Sequence, residues 1–145
     1  MRIAFIVNAF PILSETFILN QITGLIDRGH EVVLFSGCDS QEETYHPEVD
    51  EYDLLGSVYC HNERPRNPIV LILKAIVLFL TNFHKNPRTI LRSLNFFKYG
   101  RDALSLTLFY KTVLFIKMGE FDIIQCHYGP NGNIAALLKE IGIPG

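Results

Sequence analysis

Two short apolar runs on either side of an amphipathic stretch open the chain. Residues 3–7, Ile-Ala-Phe-Ile-Val, are all apolar, and residues 32–35, Val-Val-Leu-Phe, have the same character. Between them, apolar residues recur at helical spacing from Phe17 to Ile26, and Gly29 follows. Continuous apolar runs are typical of parallel strands buried on both faces, and a glycine just past a helix favours a left-handed cap. This order predicts a β-α-β unit with a right-handed crossover.

The loop between the first strand and the helix is the first candidate for a binding site. Pro11 is expected to end the strand, because proline has no N–H for the ladder. The Ser14 hydroxyl is predicted to cap the helix, and Glu15 would then lie in the first turn, where the helix dipole favours a negative charge. Free N–H groups at such a corner can bind anions or sugar hydroxyls. A loop that only connects strand to helix is the alternative.

The rest of the chain continues to alternate between strand and helix patterns. Residues 37–53 are polar and acidic and predict a solvated loop with one helical turn near 48–55, and residues 56–60 predict a short strand. A further strand is predicted over 121–127 and a further helix over 134–141. Such alternation indicates an α/β fold with a Rossmann-like parallel sheet and helices on both faces. Because another parallel strand would be expected next, we expect residues 1–145 to form one domain that is incomplete at its C-terminus.

Within this domain, the segment 64–118 is helical, basic and rich in large apolar residues. Its patterns predict three helices, over 69–83, from Pro87 to about Lys98 and from Asp102 to Met118. The segment has ten Lys and Arg residues and one acidic residue, a formal charge of +9. The remainder has three basic and fourteen acidic residues, a charge of −11. This asymmetry favours a polyanion or an anionic membrane as a partner. The alternative is a helical cover over the sheet with solvated charges.

Cysteine spacing, hydropathy and glycine motifs argue against several classes of protein. Cys38, Cys60 and Cys126 are far apart and form no CxxC pair, so we expect three buried thiols in a reducing compartment rather than disulfides or a zinc site. The closest candidate for a membrane-spanning helix, at 69–80, contains Lys74 and is shorter than the ~18 residues that such a helix needs. The first loop has no GxGxxG and the chain has no Walker lysine, which argues against dinucleotide enzymes and P-loop proteins.

Two loops follow the carboxyl ends of predicted strands, at residues 8–14 and 127–132. Ligands of open parallel sheets bind beyond these ends, so the two loops are candidates for one cleft. His127, at the end of a strand, is the candidate functional histidine, and a structural histidine is the alternative. Ser14 and His127 could form a nucleophile and base, but no GxSxG surrounds Ser14 and no acid completes a triad, which argues against hydrolysis. The other histidines are expected at the surface: His30, His46, His61 and His84.

Two stretches also carry a resemblance to a known family. Residues 1–7, followed by Phe-Pro-Ile-Leu-Ser-Glu-Thr-Phe at 10–17, resemble the start of GT-B fold glycosyltransferases of family 4, in the branch that builds bacterial exopolysaccharides such as colanic acid. Residues 122–129, Asp-Ile-Ile-Gln-Cys-His-Tyr-Gly, are similar to the Asp-x-x-His-x-His-Phe-Gly stretch of that family. This chain departs from the pattern at Gln125, where a histidine is common, and at Tyr128, where phenylalanine is common.

The resemblance implies the N-terminal, acceptor-binding half of a retaining glycosyltransferase. Such an enzyme transfers a sugar from a nucleotide sugar to a growing, lipid-linked saccharide, with the nucleotide sugar as substrate and with no metal or cofactor. The C-terminal GT-B domain has no counterpart in these residues, so the chain is expected to be inactive alone. The resemblance implies a catalytic role for His127, facing the donor sugar. It implies substrate contacts from Phe10, Ser14, Glu15, Thr16, Gly129, Asn131 and Gly132.

The resemblance also gives the basic segment a role beside a lipid-linked acceptor. Each exposed cation near an anionic bilayer contributes ~1 kcal/mol. The predicted membrane-docking residues are Lys85, Arg88, Arg92, Lys98 and Arg101. We therefore expect a cytoplasmic protein at the inner face of the plasma membrane, with no nucleic-acid partner. An uncovered cleft face predicts self-association. The alternatives are a non-catalytic saccharide- or nucleotide-binding module and a peripheral membrane or scaffold protein.

Overall fold

The computed structural model describes residues 1–39, 44–62 and 64–145, except for the side chains of residues 38 and 39. The chain divides into two compact units. The first unit contains residues 1–60, 121–135 and 145, and the second contains residues 61–120 and 136–144. Both candidate loops therefore belong to the first unit, and the basic segment belongs to the second.

The first unit is built around a four-stranded parallel sheet. Its strands are β1 (Arg2–Phe10), β2 (Glu31–Asp39), β3 (Val58–Cys60) and β4 (Ile123–Cys126), in the order β3-β2-β1-β4. In the central strand β1, Ile3 lies opposite Val32 on one side and Ile123 on the other. Residues 3–7 of this strand are buried, which explains the continuous apolar run. The predicted α/β, Rossmann-like parallel sheet flanked by helices is confirmed.

Helix α1 (Thr16–Ile26) connects β1 to β2 and packs its apolar stripe into the core of this unit. The buried members of the stripe are Ile18, Leu19 and Ile22. The predicted cap at Gly29 is confirmed, because its φ is +79° and the His30 N–H donates to the Leu25 carbonyl at 3.1 Å. A glycine adopts this left-handed conformation without the steric penalty of a Cβ.

The predicted cap at the start of α1 is wrong. Glu15, not Ser14, directly precedes the helix, and no side chain makes a capping hydrogen bond there. The reason is a turn in which the Glu15 N–H donates to the Ile12 carbonyl at 3.1 Å. Ser14 lies inside that turn, one residue before the capping position, and is exposed to solvent.

Other element boundaries were predicted with mixed success. Helix α2 (Glu48–Glu51) and a 3₁₀ turn at Leu54–Ser57 confirm the helical turn expected near 48–55. Strand β2 continues to residue 39, so the polar loop begins later than predicted, and its residues 40–43 lie outside the described part of the chain. Helix α7 (Gly129–Ile141) begins five residues before the predicted start at Ile134, because Pro130 suits a first helical turn.

The second unit is helical. It contains α3 (Pro68–Asn82), α4 (Pro87–Ser93), α5 (Phe96–Leu104), α6 (Thr107–Met118) and the last turns of α7. Helix α6 is the most buried of these, and Phe109 and Val113 pack in a core with Ile90 of α4 and Ala75 of α3. In the part of the chain that the structure describes, no helix combines the length and hydropathy needed to cross a bilayer.

Asparagines set the helix starts in this unit. The Asn67 side chain accepts from the N–H groups of residues 69 and 70, Asn86 caps α4 from the residue before Pro87, and Asn95 caps α5. The first predicted helix is confirmed within a residue or two at each end. The predicted helix from Pro87 to Lys98 is wrong, because the cap at Asn95 divides it. The third helix begins at Thr107 rather than Asp102, which lies in α5.

The expected environments of two residue types need correction. Cys60 and Cys126 are free thiols but only half-buried, and the side chain of Cys38 is outside the described atoms. Partial burial raises the pKa of the Cys126 thiol. His61, expected at the surface, is buried, with its Nδ1 2.8 Å from the Nζ of Lys111. Of the other predicted surface histidines, His84 is exposed, and His30 and His46 are half-buried.

Candidate functional site

The two candidate loops begin at the same edge of the sheet. β1 and β4 are parallel neighbours, with Ile6 opposite Cys126, and the His127 N–H donates to the Ile6 carbonyl at 3.1 Å. The Asn131 amide then joins the loops, since its Nδ2 donates to Asn8 Oδ1 at 3.0 Å and to the His127 carbonyl at 2.7 Å. The structure therefore brings together the two stretches that sequence reasoning assigned to one cleft.

The His127 imidazole lies between two aromatic rings. It stacks on Phe5 with ring centroids 5.6 Å apart and meets Phe17 edge-on at 5.7 Å. The side chain is 9% exposed, and its Nε2 has no hydrogen-bond partner among the described residues. Leaving a buried polar atom unsatisfied costs roughly 1–3 kcal/mol, so a ligand that satisfies Nε2 gains binding energy. Such an orphaned nitrogen makes His127 a candidate ligand-binding residue.

Burial also sets the charge state of this histidine. Desolvation lowers the pKa of His127, and the nearby Glu15 carboxylate opposes that effect in part. The net direction is downward, so the imidazole is neutral at pH 7. A neutral imidazole carries one N–H donor and one acceptor nitrogen, and can therefore orient a hydroxyl group.

A hydrogen bond between Tyr128 and Glu15 links the two loops a second time. The Tyr128 hydroxyl donates to Glu15 Oε1 at 2.7 Å, and this bond raises the pKa of the phenol. Tyr128 has a φ of +70°, a left-handed conformation uncommon for residues other than glycine, and is 47% exposed. Its hydroxyl thus fixes one carboxylate oxygen of Glu15 beside His127. A phenylalanine, common at this position in the resembled family, could not make this bond.

The remaining predicted substrate-binding residues lie in different surroundings. Ser14 and Thr16 are exposed at the start of α1, and Gly129 begins α7 with an exposed backbone. Gly132 lies in the same first turn of α7 and is half-buried, and the Asn131 side chain is buried and used for bracing. Phe10 is 8% exposed and packs in the apolar core with α1, which argues against direct ligand contact and favours support of the loop.

A cavity that sequence reasoning missed lies between α1 and the sheet. Its volume is about 510 Å³, and it is lined by Ile3, Phe5, Leu25, Ile123, Gln21 and Gln125, among others. Phe5 belongs both to this cavity and to the stack with His127. The available signal was Gln21, a polar member of the apolar stripe of α1. A polar residue there indicates that this part of the helix faces open space rather than the core.

Among the residues that the structure describes, no three His, Cys, Asp or Glu side chains are grouped so as to hold an ion. The groups that converge are a buried imidazole nitrogen, a carboxylate and the exposed aromatic rings of Phe17 and Tyr128. Carboxylates and amphipathic aromatic rings suit ligands that combine hydroxyl groups with apolar C–H faces. Saccharides have this combination.

Relatives aligned over nearly the whole chain are glycosyltransferases of exopolysaccharide biosynthesis, which confirms the resemblance to that class of enzyme. The chain is 29% identical over 143 residues to the putative colanic acid biosynthesis glycosyltransferase WcaL of Salmonella typhimurium and 28% identical to WcaL of Escherichia coli. It is 28% identical over 144 residues to the amylovoran biosynthesis glycosyltransferase AmsK of Erwinia amylovora. Each alignment covers 99% of this chain and 35% of the relative, so the chain spans about a third of their length. No protein-family model and no solved structure matches.

Proposed function

We infer that this chain is the acceptor-side domain of a retaining GT-B glycosyltransferase of family 4, acting in exopolysaccharide synthesis in the cytoplasm. The enzyme would transfer a hexose from a nucleotide sugar to a growing, lipid-linked saccharide. The main support is that both resembled motifs converge at one sheet edge, with the orphaned His127 Nε2 beside the Glu15 carboxylate. The relatives' names support the transferase class.

The environment of His127 favours one role over another. A protonated imidazole could stabilise developing negative charge, but burial disfavours that form at pH 7. We therefore propose that His127 orients a sugar hydroxyl in the cleft through a hydrogen bond at its Nε2. Glu15, with one oxygen held by Tyr128, would accept a second hydroxyl on its other oxygen. Ser14 and Thr16 would contact the same ligand from the exposed start of α1.

These 145 residues correspond to about a third of the relatives' length, which affects the activity expected of them. In the resembled family the C-terminal domain holds most contacts to the nucleotide sugar, so the 145 residues alone would bind saccharide without transferring it. The nucleotide sugar is a substrate in this scheme, and no metal or further cofactor is required. The exposed cleft face would favour self-association. All five predicted docking residues are exposed: Lys85, Arg88, Arg92, Lys98 and Arg101. Lys98 also forms an ion pair, with its Nζ 2.6 Å from Glu140 Oε1.

Nuclear magnetic resonance on the isotope-labelled chain tests the site. Oligosaccharides prepared from colanic acid, and a panel of UDP- and GDP-sugars, would be titrated while the His127 ring nitrogens and the backbone amides are followed. The expected result is a set of shifts confined to residues 14–17 and 127–132, including the His127 ring. His127→Gln should weaken binding about tenfold, since it displaces the nitrogen that the ligand satisfies. The matched control is His84→Gln, which changes an exposed histidine in the other unit. Shifts that avoid both loops, or equal binding by the two variants, would contradict the proposal.

A further inference from the structure

The outer face of α3 is apolar along its whole length. Seven large apolar side chains are exposed on it: Ile69, Val70, Ile72, Leu73, Ile76, Val77 and Leu80. Their exposed fractions run from 49% for Val70 to 69% for Leu80. At about 100° per residue, Leu73 and Val77 lie on the side of the helix opposite the buried Ala75. This is the reverse of an ordinary surface helix, whose outward face is polar.

An apolar groove continues this surface on one side of the helix. It has a volume of about 270 Å³, and all eight of its lining residues are apolar. Ile72, Ile76 and Leu80 form its α3 wall, and Leu94 and Leu106 contribute from the residues that flank α5. The apolar surface therefore extends beyond a single helix within the second unit. A contiguous exposed patch of this kind indicates an interaction surface.

The length of α3 restricts how it could meet a bilayer. Its 15 residues give a helix of about 22 Å, against a hydrocarbon core of about 30 Å. The helix is too short to span the core but suits a position parallel to the membrane, with one face in the acyl region. Asn67 caps its first turn, so the N-terminal amides at residues 69 and 70 are already satisfied.

The charges around α3 favour lipid over a second copy of the chain. Arg66 precedes the helix, Lys74 lies about 100° around from Leu73 on its flank, and Lys85 follows its end. All three are exposed, within a segment of charge +9. A two-fold contact through this face would bring two such segments together, and like charges repel. An anionic bilayer instead neutralises the cations, and the Lys74 stem can extend to the headgroups while its neighbours are buried.

We propose that α3 inserts its apolar face into the interface of an anionic bilayer, with Arg66, Lys74 and Lys85 on the headgroups. This deepens the membrane docking of the proposed function by naming the element that enters the lipid. In this proposal the hydrophobic contact of Leu73 and Val77 contributes most to membrane binding. Of the predicted docking residues, only Lys85 adjoins α3. The inference rests on the proposed function only in one respect, because the lipid-linked acceptor is the reason for the protein to bind a membrane.

The chain contains no tryptophan, so a single inserted one reports directly on α3. Leu73→Trp would be mixed with vesicles of phosphatidylcholine containing roughly a third phosphatidylglycerol, with Leu55→Trp in the first unit as the matched exposed control. On vesicle addition we expect a blue shift and quenching by brominated acyl chains for Leu73→Trp only. Equal responses of the two probes, or no response, would overturn the proposal.

Vesicle flotation measures the affinity. Leu73→Asp and Val77→Asp should each weaken binding about tenfold or more, as expected from losing a buried Leu or Val side chain, and Leu55→Asp should leave it unchanged. Replacing Arg66, Lys74 and Lys85 by Gln should weaken binding about fivefold per charge, and only on anionic vesicles. Circular dichroism would verify that each variant is folded. Wild-type affinity in both aspartate variants would refute insertion.

The remaining outcomes separate this proposal from its competitors. A blue shift of Leu73→Trp that rises with protein concentration in the absence of lipid would identify a second copy as the occupant and overturn the inference. Leu73→Asp should also retain the saccharide-induced shifts at His127, and His127→Gln should retain flotation. For the wild-type chain, flotation without any saccharide-induced shifts would refute only the proposed sugar site. The reverse pattern would refute only the membrane contact.

Discussion

Replacing His127 with phenylalanine should stabilise the chain while removing its candidate binding group. The imidazole is 9% exposed, stacks on Phe5 and leaves Nε2 without a partner among the described residues. Phenylalanine retains the stacking and removes the unsatisfied nitrogen, a gain of roughly 1–3 kcal/mol. Crowding by the larger ring costs about 1 kcal/mol. The expected net effect at pH 7 is a stabilisation of about 1 kcal/mol.

The stability difference between His127→Phe and the wild type should also depend on pH. Burial lowers the pKa of His127 in the folded chain below the unfolded value of about 6.5, so the unfolded state binds more protons in the interval between the two values. Above about pH 6.5, the titration of His127 does not reduce the free energy of unfolding. As the pH falls from there to the pKa of His127 in the folded chain, the free energy of unfolding decreases. His127→Phe lacks this titration. The advantage of the variant over the wild type should consequently grow from pH 7 to pH 5.

Urea unfolding followed by circular dichroism at pH 7 and pH 5 measures both quantities. His84→Phe is the control, because it removes an exposed histidine whose environment is open to solvent. The reasoning would be refuted by a destabilised His127→Phe variant at both pH values, which would mean that the nitrogen is satisfied or the site too tightly packed. It would also be refuted by a stability difference between variant and wild type that does not change with pH.

Three smaller predictions concern single contacts. Glu15→Gln should lower the pKa of the Tyr128 phenol towards 10, because a charged acceptor is replaced by a neutral one. Carbon NMR of the tyrosine rings measures this pKa, and an unchanged value would mean that the bond between Tyr128 and Glu15 is absent. Gly29→Ala should lose about 1 kcal/mol in urea unfolding, since its φ of +79° is strained for alanine although no atom obstructs a Cβ, and an unchanged midpoint would contradict the cap. Asn67→Ala should lose about 1 kcal/mol by removing two hydrogen bonds at the start of α3, whereas an equal loss in Asn20→Ala, which changes an exposed asparagine outside any cap, would point to a general effect.

The sheet and the meeting of the two loops were predictable because both follow from simple periodicities. Buried parallel strands have continuous apolar runs, and parallel strands place their carboxyl ends at one edge. The absence of a cap at Ser14 was not predictable, because the turn in which the Glu15 N–H donates to the Ile12 carbonyl depends on backbone geometry. The bond between Tyr128 and Glu15 joins residues 113 positions apart, and local patterns contain no information about such pairs.

For helix α3, the sequence pattern predicts the helix but not its exposed face. Its sequence is apolar nearly all round, so the pattern indicates a helix but identifies no face that is turned to water. A helix of this composition is either enclosed by protein or covered by lipid, and the two cases have the same sequence pattern. The structure identifies the uncovered face, because Ala75 is buried while Leu73 and Val77 are more than half exposed. In the membrane contact that we propose, the charge asymmetry of the chain would gain a role beyond electrostatic attraction. Cations beside an apolar face would hold the helix at the depth where acyl chains meet headgroups, and neither feature alone would do so.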